Sequence, residues 1–237
     1  MAYLNNSNNA EVDQVPSKNL QSADSRAYRY NTMLLIAVIP VALVTYYCIG
    51  HLDRGISLRI QHYHSLNDAW NRHLSAIPDT LFIFTVLLTI GAYTYFRRLI
   101  SRGVIDTVAL TWKMLAIAAP LSFLVKSVLK YVFGRIPTRV WLLPPHDYSF
   151  HWLAEGASQS GFPSGHMLVF TALIAIWWRS HPRCRAMCFL ALSLLALALI
   201  ATNYHFLSDV IAGAYIGLVV AALTFRIAGM DADAGRF

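Results

Sequence analysis

The chain has 237 residues, of which 57% are hydrophobic and only 13% charged, and its mean hydropathy is +0.48. That balance excludes an ordinary water-soluble domain and points to a protein of the lipid bilayer. The net charge of +7 is not read as a nucleic-acid footprint, because its arginines cluster in short connections between apolar runs, where membrane insertion retains them.

A helix needs about 20 apolar residues to cross a hydrocarbon core about 30 Å thick. In chain order, residues 1–31 are rich in Asn and Ser and are expected to form a disordered cytoplasmic tail. Spans are then expected over 32–50, 79–96, about 109–133, 161–178, 184–202 and 209–225. The expected fold is all-α, a polytopic integral membrane bundle of six transmembrane helices over 32–226, followed by a second cytoplasmic tail at 227–237. No small-residue cleavage site follows the first span, so it reads as an uncleaved anchor. Arg97, Arg98 and Arg102 follow the second span, and Arg179, Arg183 and Arg185 follow the fourth. By the positive-inside rule both connections face the cytoplasm, which puts residues 50–78, 131–163 and the turn around His205 on the far side. The three cysteines, Cys48, Cys184 and Cys188, make no disulfide framework.

Polar groups at membrane depth are costly and mark function by default. Here they gather at the far face. Lys126 and Lys130 lie one helical turn apart, followed by Gly134 and Arg135; "PSGH" at 163–166 opens the fourth span; His205 and Asp209 are four residues apart in "NYHFLSDV". Singly, each has a plain reading: lysines snorkel to the headgroups, Pro-Ser-Gly starts a helix, and an interfacial histidine is a satisfied polar ring. Together they suit an anion. A helix starting at Ser164 presents unpaired first-turn amides, Gly165 lets its backbone come close, and His166 can protonate a leaving oxygen. Trp141, Tyr148, Phe150 and Trp152 in the second far-side loop read as interfacial anchors that could also frame an entrance. His51, His62, His64 and His73 lack a carboxylate or cysteine set at ligand spacing, so neither a metal nor another cofactor is assigned.

The blocks "KYVFGRIPT", "PSGH" and "ALIATNYHFLSD" resemble, in order and at one membrane face, the signature of the type-2 phosphatidate phosphatase family, the membrane branch of the superfamily that includes acid phosphatases and vanadium haloperoxidases. The family pattern is K-x-x-x-x-x-x-R-P, P-S-G-H and S-R-x-x-x-x-x-H-x-x-x-D. Two of its arginines are missing here: Pro137-Thr138 stands for R-P, and Ala198-Leu199 for S-R. The resemblance implies His205 as a nucleophile forming a phosphohistidine, with Asp209 fixing its tautomer, His166 as general acid, and Lys130, Ser164 and Gly165 on the phosphate. Arg135, then Arg139, are the expected replacements for the lost clamps, with Asn203 nearby. The implied activity is a metal-independent, membrane-embedded lipid phosphatase, cleaving a phosphomonoester or diphosphate at the outer or periplasmic face of a bacterial inner membrane. Its partners would be the phosphorylated lipid and the surrounding membrane lipids, with no nucleic acid. A lipid-to-lipid phosphotransferase would use the same groups, and a lipid-phosphate-binding scaffold with weak turnover would match the missing arginines.

Overall fold

The computed structural model describes residues 15–65, 77–104, 106–153 and 160–228. Among them every regular element is helical: α1 (Val15–Tyr47), α2 (Asp53–Ser65), α3 (Ile77–Ser101), α4 (Thr107–Phe133), α5 (Thr138–Trp141), α6 (Gly165–Ser180), α7 (Arg185–Ala201) and α8 (Leu207–Ile227). A π-helical segment, Cys48–Leu52, joins α1 to α2. Two expectations change here. Residues 15–31, assigned to a disordered tail, lie in α1, and the expected external loop continues as α2 to Ser65. Residues 1–14, 66–76 and 229–237 lie outside the described residues, so His73 and most of the C-terminal tail are not described.

Among the described residues, five helical stretches are long and apolar enough to cross a membrane: Arg29–Tyr63, Ile83–Ser101, Thr107–Phe133, Pro182–Ala201 and Leu207–Ile227. The expectation of six is corrected at α6. This helix has 16 residues, about 24 Å at 1.5 Å per residue, short of a core about 30 Å thick. Ser164 caps its start with extended backbone and accepts from Met167 N, so residues 161–163 cannot lengthen it.

Instead of facing lipid, α6 forms the centre of the bundle, packed on α8 and α4; α3 lies on α4, and α1 on α8. Its core joins Met114, Leu115 and Ala118 of α4 with Val169, Leu173 and Ile176 of α6 and Ala221 and Phe225 of α8. Small residues let α8 approach this closely. A Cβ at Gly213 would stand 2.6 Å from the Ser164 carbonyl oxygen, and one at Gly217 would stand 2.5 Å from that of Leu168. The outer helices carry the lipid-facing surface: Leu35, Ile39 and Leu43 on α1, Leu87 and Ile90 on α3, and Phe189, Leu194 and Leu197 on α7 are exposed.

Candidate active site

Four segments end at the same place. The last turn of α4 bears Lys130 and closes on Gly134, which adopts φ 52° and donates to the Lys130 carbonyl. That left-handed stop favours glycine. It releases an extended stretch from which Arg135 enters the interior, pinned on one side by an antiparallel bridge to Phe150 and on the other by Gly161 N donating to the Arg135 carbonyl at 2.7 Å.

The second segment is the start of α6. Ser164 is fully buried, and its N–H donates to the Asp209 carbonyl at 3.0 Å, tying the "PSGH" turn directly to α8. Gly165 serves a purpose different from close approach to an anion alone. The place a Cβ would take is filled by the Lys126 stem, whose Cδ would lie 2.5 Å away. Lys126 thus runs across the first turn of α6, with its ammonium over the Phe123 ring at 3.8 Å.

The third segment is the turn from α7 to α8. His205 precedes the helix, and Asp209 sits in its first turn, where Oδ2 accepts Phe206 N at 3.0 Å, a side-chain cap that holds the carboxylate still. Asp209 Oδ2 also lies 3.5 Å from His205 Nδ1. Tyr204 stands between the two histidines, its ring edge-on to His166 at 5.4 Å and to His205 at 5.1 Å. Both imidazoles therefore flank one aromatic ring, and both are buried. Lys130 is near enough for its charge to act on both His205 and Asp209. Burial holds the His205 imidazole below the usual histidine range, with Asp209 opposing and Lys130 reinforcing the shift; the ring is neutral at pH 7, the form in which a ring nitrogen carries a lone pair.

Arg139 joins this group. It donates from Nη2 to the Thr202 carbonyl at 3.2 Å and lies over the Tyr204 ring at 5.1 Å. Arg135, expected to bind phosphate, is placed differently. Only 1% exposed, it donates from Nη1 to Asp209 Oδ1 at 2.5 Å and to Ser208 Oγ at 2.7 Å, and from Nη2 to Asp53 Oδ2 at 2.8 Å and to Tyr148 Oη at 2.6 Å. Burial opposes its charge, but the neighbouring carboxylates outweigh that and raise its pKa above the ordinary value. Both terminal nitrogens are thereby engaged by protein oxygens. Asn203 likewise turns its amide to the Ser57 carbonyl, 3.1 Å away on α2.

The fourth segment is the π-helical junction with Asp53, a residue that no motif in the sequence singles out, because residues 50–78 read as a far-side connection while the chain continues there as helix. A signal exists: Asp53 is the only carboxylate between residues 25 and 67, and a lone acid beside an apolar span rarely lacks a partner. The aromatic loop is also more internal than expected. Trp141 is buried and packs with Tyr148 and Phe206, whereas Trp152 is exposed. Among the described residues, no three His, Cys, Asp or Glu side chains gather as a ligand set.

Against known proteins, the sequence model described as the PAP2 superfamily matches residues 109–232, which takes in every expected site residue from Lys130 to Asp209. Neither a curated protein nor a solved structure matches the chain.

Proposed function

The chain belongs to the PAP2 superfamily, a membership that supports phosphatase activity on a phosphoester, and from that premise we propose that it is a membrane-embedded, metal-independent lipid phosphatase of the type-2 phosphatidate phosphatase kind, working through a phosphohistidine. The observation that carries this reading is the convergence of His166 and His205 on Tyr204, with Asp209, Lys130 and Arg139 beside them.

In this mechanism neutral His205 attacks phosphorus with the nitrogen turned away from Asp209. The new N–P bond forms as the ester P–O bond breaks, and His166 gives its proton to the departing oxygen. Asp209 holds the Nδ1 proton and balances the charge the ring acquires. Water then attacks phosphorus, its proton passes to His166, and the N–P bond breaks to release phosphate and restore both histidines. Lys130 and Arg139, both partly exposed, neutralise the equatorial oxygens together with the first-turn amides of α6. Arg135 has a different task, the restraint of Asp209.

A lipid substrate is supported by an apolar groove of about 810 Å³ between α1, α4 and α8. Its lining includes Asn31 and Arg226 as well as Ile49, Leu129, Phe133 and Phe162, of which Leu129 and Phe162 are the chain neighbours of Lys130 and the "PSGH" turn. The basic clusters after α3 and α6 lie at the opposite end of the bundle from the site, which supports a site on the outer face of a bacterial inner membrane.

The test is phosphate release by the detergent-purified protein, with chelator present, from phosphatidate, phosphatidylglycerophosphate, a polyprenyl diphosphate and a phosphorylated lipid A. Release from at least one of them is expected, and its loss in His205→Ala and His166→Ala. Full activity in His205→Ala overturns the nucleophile. A second reading, a lipid-phosphate binder with weak turnover, draws on the engagement of Arg135 by carboxylates; saturable binding without release across the panel would favour it. Appearance of the phosphoryl group on a second lipid would instead identify a transferase.

A further inference from the structure

We propose that Asp53, on the first membrane-crossing rod and outside the segment that matches the superfamily, is a positioning residue for this reaction, setting through Arg135 and Ser208 how Asp209 holds His205. The inference rests on the phosphatase reading above.

Asp53 is 1% exposed, and its carboxylate is shared by three other parts of the chain. Oδ1 accepts Ser208 N at 3.0 Å. Oδ2 accepts Arg135 Nη2 at 2.8 Å, Tyr148 Oη at 3.1 Å, and Ser208 Oγ. Both oxygens are thus engaged by protein donors, Oδ1 by one and Oδ2 by three. A carboxylate repels a phosphate and accepts rather than donates, so the influence of Asp53 passes through its partners.

Two routes lead from it to His205. The first is charge: one guanidinium is divided between two carboxylates, Nη2 on Asp53 and Nη1 on Asp209. With Asp53 neutral, Arg135 turns wholly to Asp209, whose negative charge is then less available to His205. The second is geometry. Ser208 N is a first-turn amide of α8 with no helical acceptor, and Asp53 supplies one from another helix, fixing the turn that carries Asp209. The π-helical segment places the acid: Asp53 N donates back to the Cys48 carbonyl, and in the widened turn the Ile49 carbonyl, 3.0 Å from Tyr148 Oη, shares the one hydroxyl proton with Asp53 Oδ2. The titratable groups facing His205 are Asp209 from α8 and Lys130 from α4, with His166 of α6 across the Tyr204 ring.

The experiment compares full-length wild type with Asp53→Asn in detergent, using whichever lipid phosphate of the panel is turned over. Expected is a fall in kcat of about 10- to 100-fold per folded molecule with KM nearly unchanged, the range typical of groups that orient a catalytic side chain through a neighbour. The acid limb of the kcat–pH profile moves to lower pH, because less negative charge reaches the protonated imidazole. Side-chain ¹⁵N NMR of His205 should show one tautomer in wild type and a mixture in the variant. A role confined to folding would lower the yield and leave kcat per folded molecule, the acid limb and the tautomer alone, and that result overturns the proposal. If wild type turns over no lipid phosphate, the phosphatase reading fails while the NMR comparison still decides whether Asp53 governs the imidazole. Should Asp53→Asn not fold, Ser208→Ala takes its place: it removes the hydroxyl both Asp53 and Arg135 contact and no charge. A drop in kcat of roughly 3- to 10-fold with KM kept is expected, and unchanged kcat refutes the idea.

Discussion

His205 is held between opposed forces, burial against its charge and Asp209 in favour of it, and burial dominates. A histidine whose folded pKa lies below its unfolded value of about 6.5 contributes stability that is complete above that pH and is lost as pH falls through the window below it. Thermal unfolding in detergent should show a lower midpoint at pH 5 than at pH 7.5, with a flatter dependence in His205→Gln. The two arginines near the site should separate cleanly. Arg139→Ala removes a partly exposed guanidinium at the Tyr204 ring, and is expected to cut kcat by about 100- to 1,000-fold, the usual cost of one oxyanion donor, with little change in unfolding midpoint. Arg135→Ala leaves Asp53 and Asp209 buried and unpaired, so the expected loss is in stability, about 3–5 kcal/mol. Equal effects of the two substitutions on unfolding would contradict this division.

At the scale of elements, the junction of α6 with α8 transmits packing to chemistry. Gly213 touches the carbonyl of Ser164, and Ser164 N reaches the carbonyl of Asp209, so the helix contact and the "PSGH" turn move together. Gly213→Ala forces backbone apart at a distance no real Cβ accepts, and should cost about 1–3 kcal/mol, as overpacking does, along with a loss of kcat. Gly91→Ala is the matched control: nothing lies within 4 Å of that position on α3, so unfolding and kcat should be unchanged or the protein slightly more stable. Measuring both variants by detergent-denaturant unfolding and phosphate release tests the claim directly. The shortness of α6 belongs at this scale too. A helix enclosed by α4 and α8 is not required to match the bilayer, which is why hydropathy alone overstated it as a sixth span.

Across the whole molecule, the groove between α1, α4 and α8 separates binding of the lipid stem from chemistry on the phosphate. Ala42, on the groove wall, lies on α1, away from every residue assigned to phosphoryl transfer. Ala42→Trp should raise KM for a long-chain lipid phosphate by about 10-fold or more, since filling the groove displaces several buried methylenes at roughly 0.8 kcal/mol each. Hydrolysis of a short soluble phosphate ester such as p-nitrophenyl phosphate should continue at the wild-type rate. An equal effect on both substrates would mean that the groove does not hold the stem.

Apolar composition and the runs of hydrophobic residues determined a helical membrane protein, and the blocks holding Lys130, "PSGH", His205 and Asp209 determined which family it joins. Those features are local: a span is legible from its own residues, and a motif from its spacing. Tertiary structure alone decided that Arg135 faces Asp53 and Asp209 rather than open space, that Gly165 makes room for Lys126, and that Tyr204 separates the two histidines. The physical reason is the same in each case. A buried charge or a missing Cβ acquires its role from groups distant in sequence, here 82 residues between Asp53 and Arg135, and no periodicity along the chain records which of them it will meet.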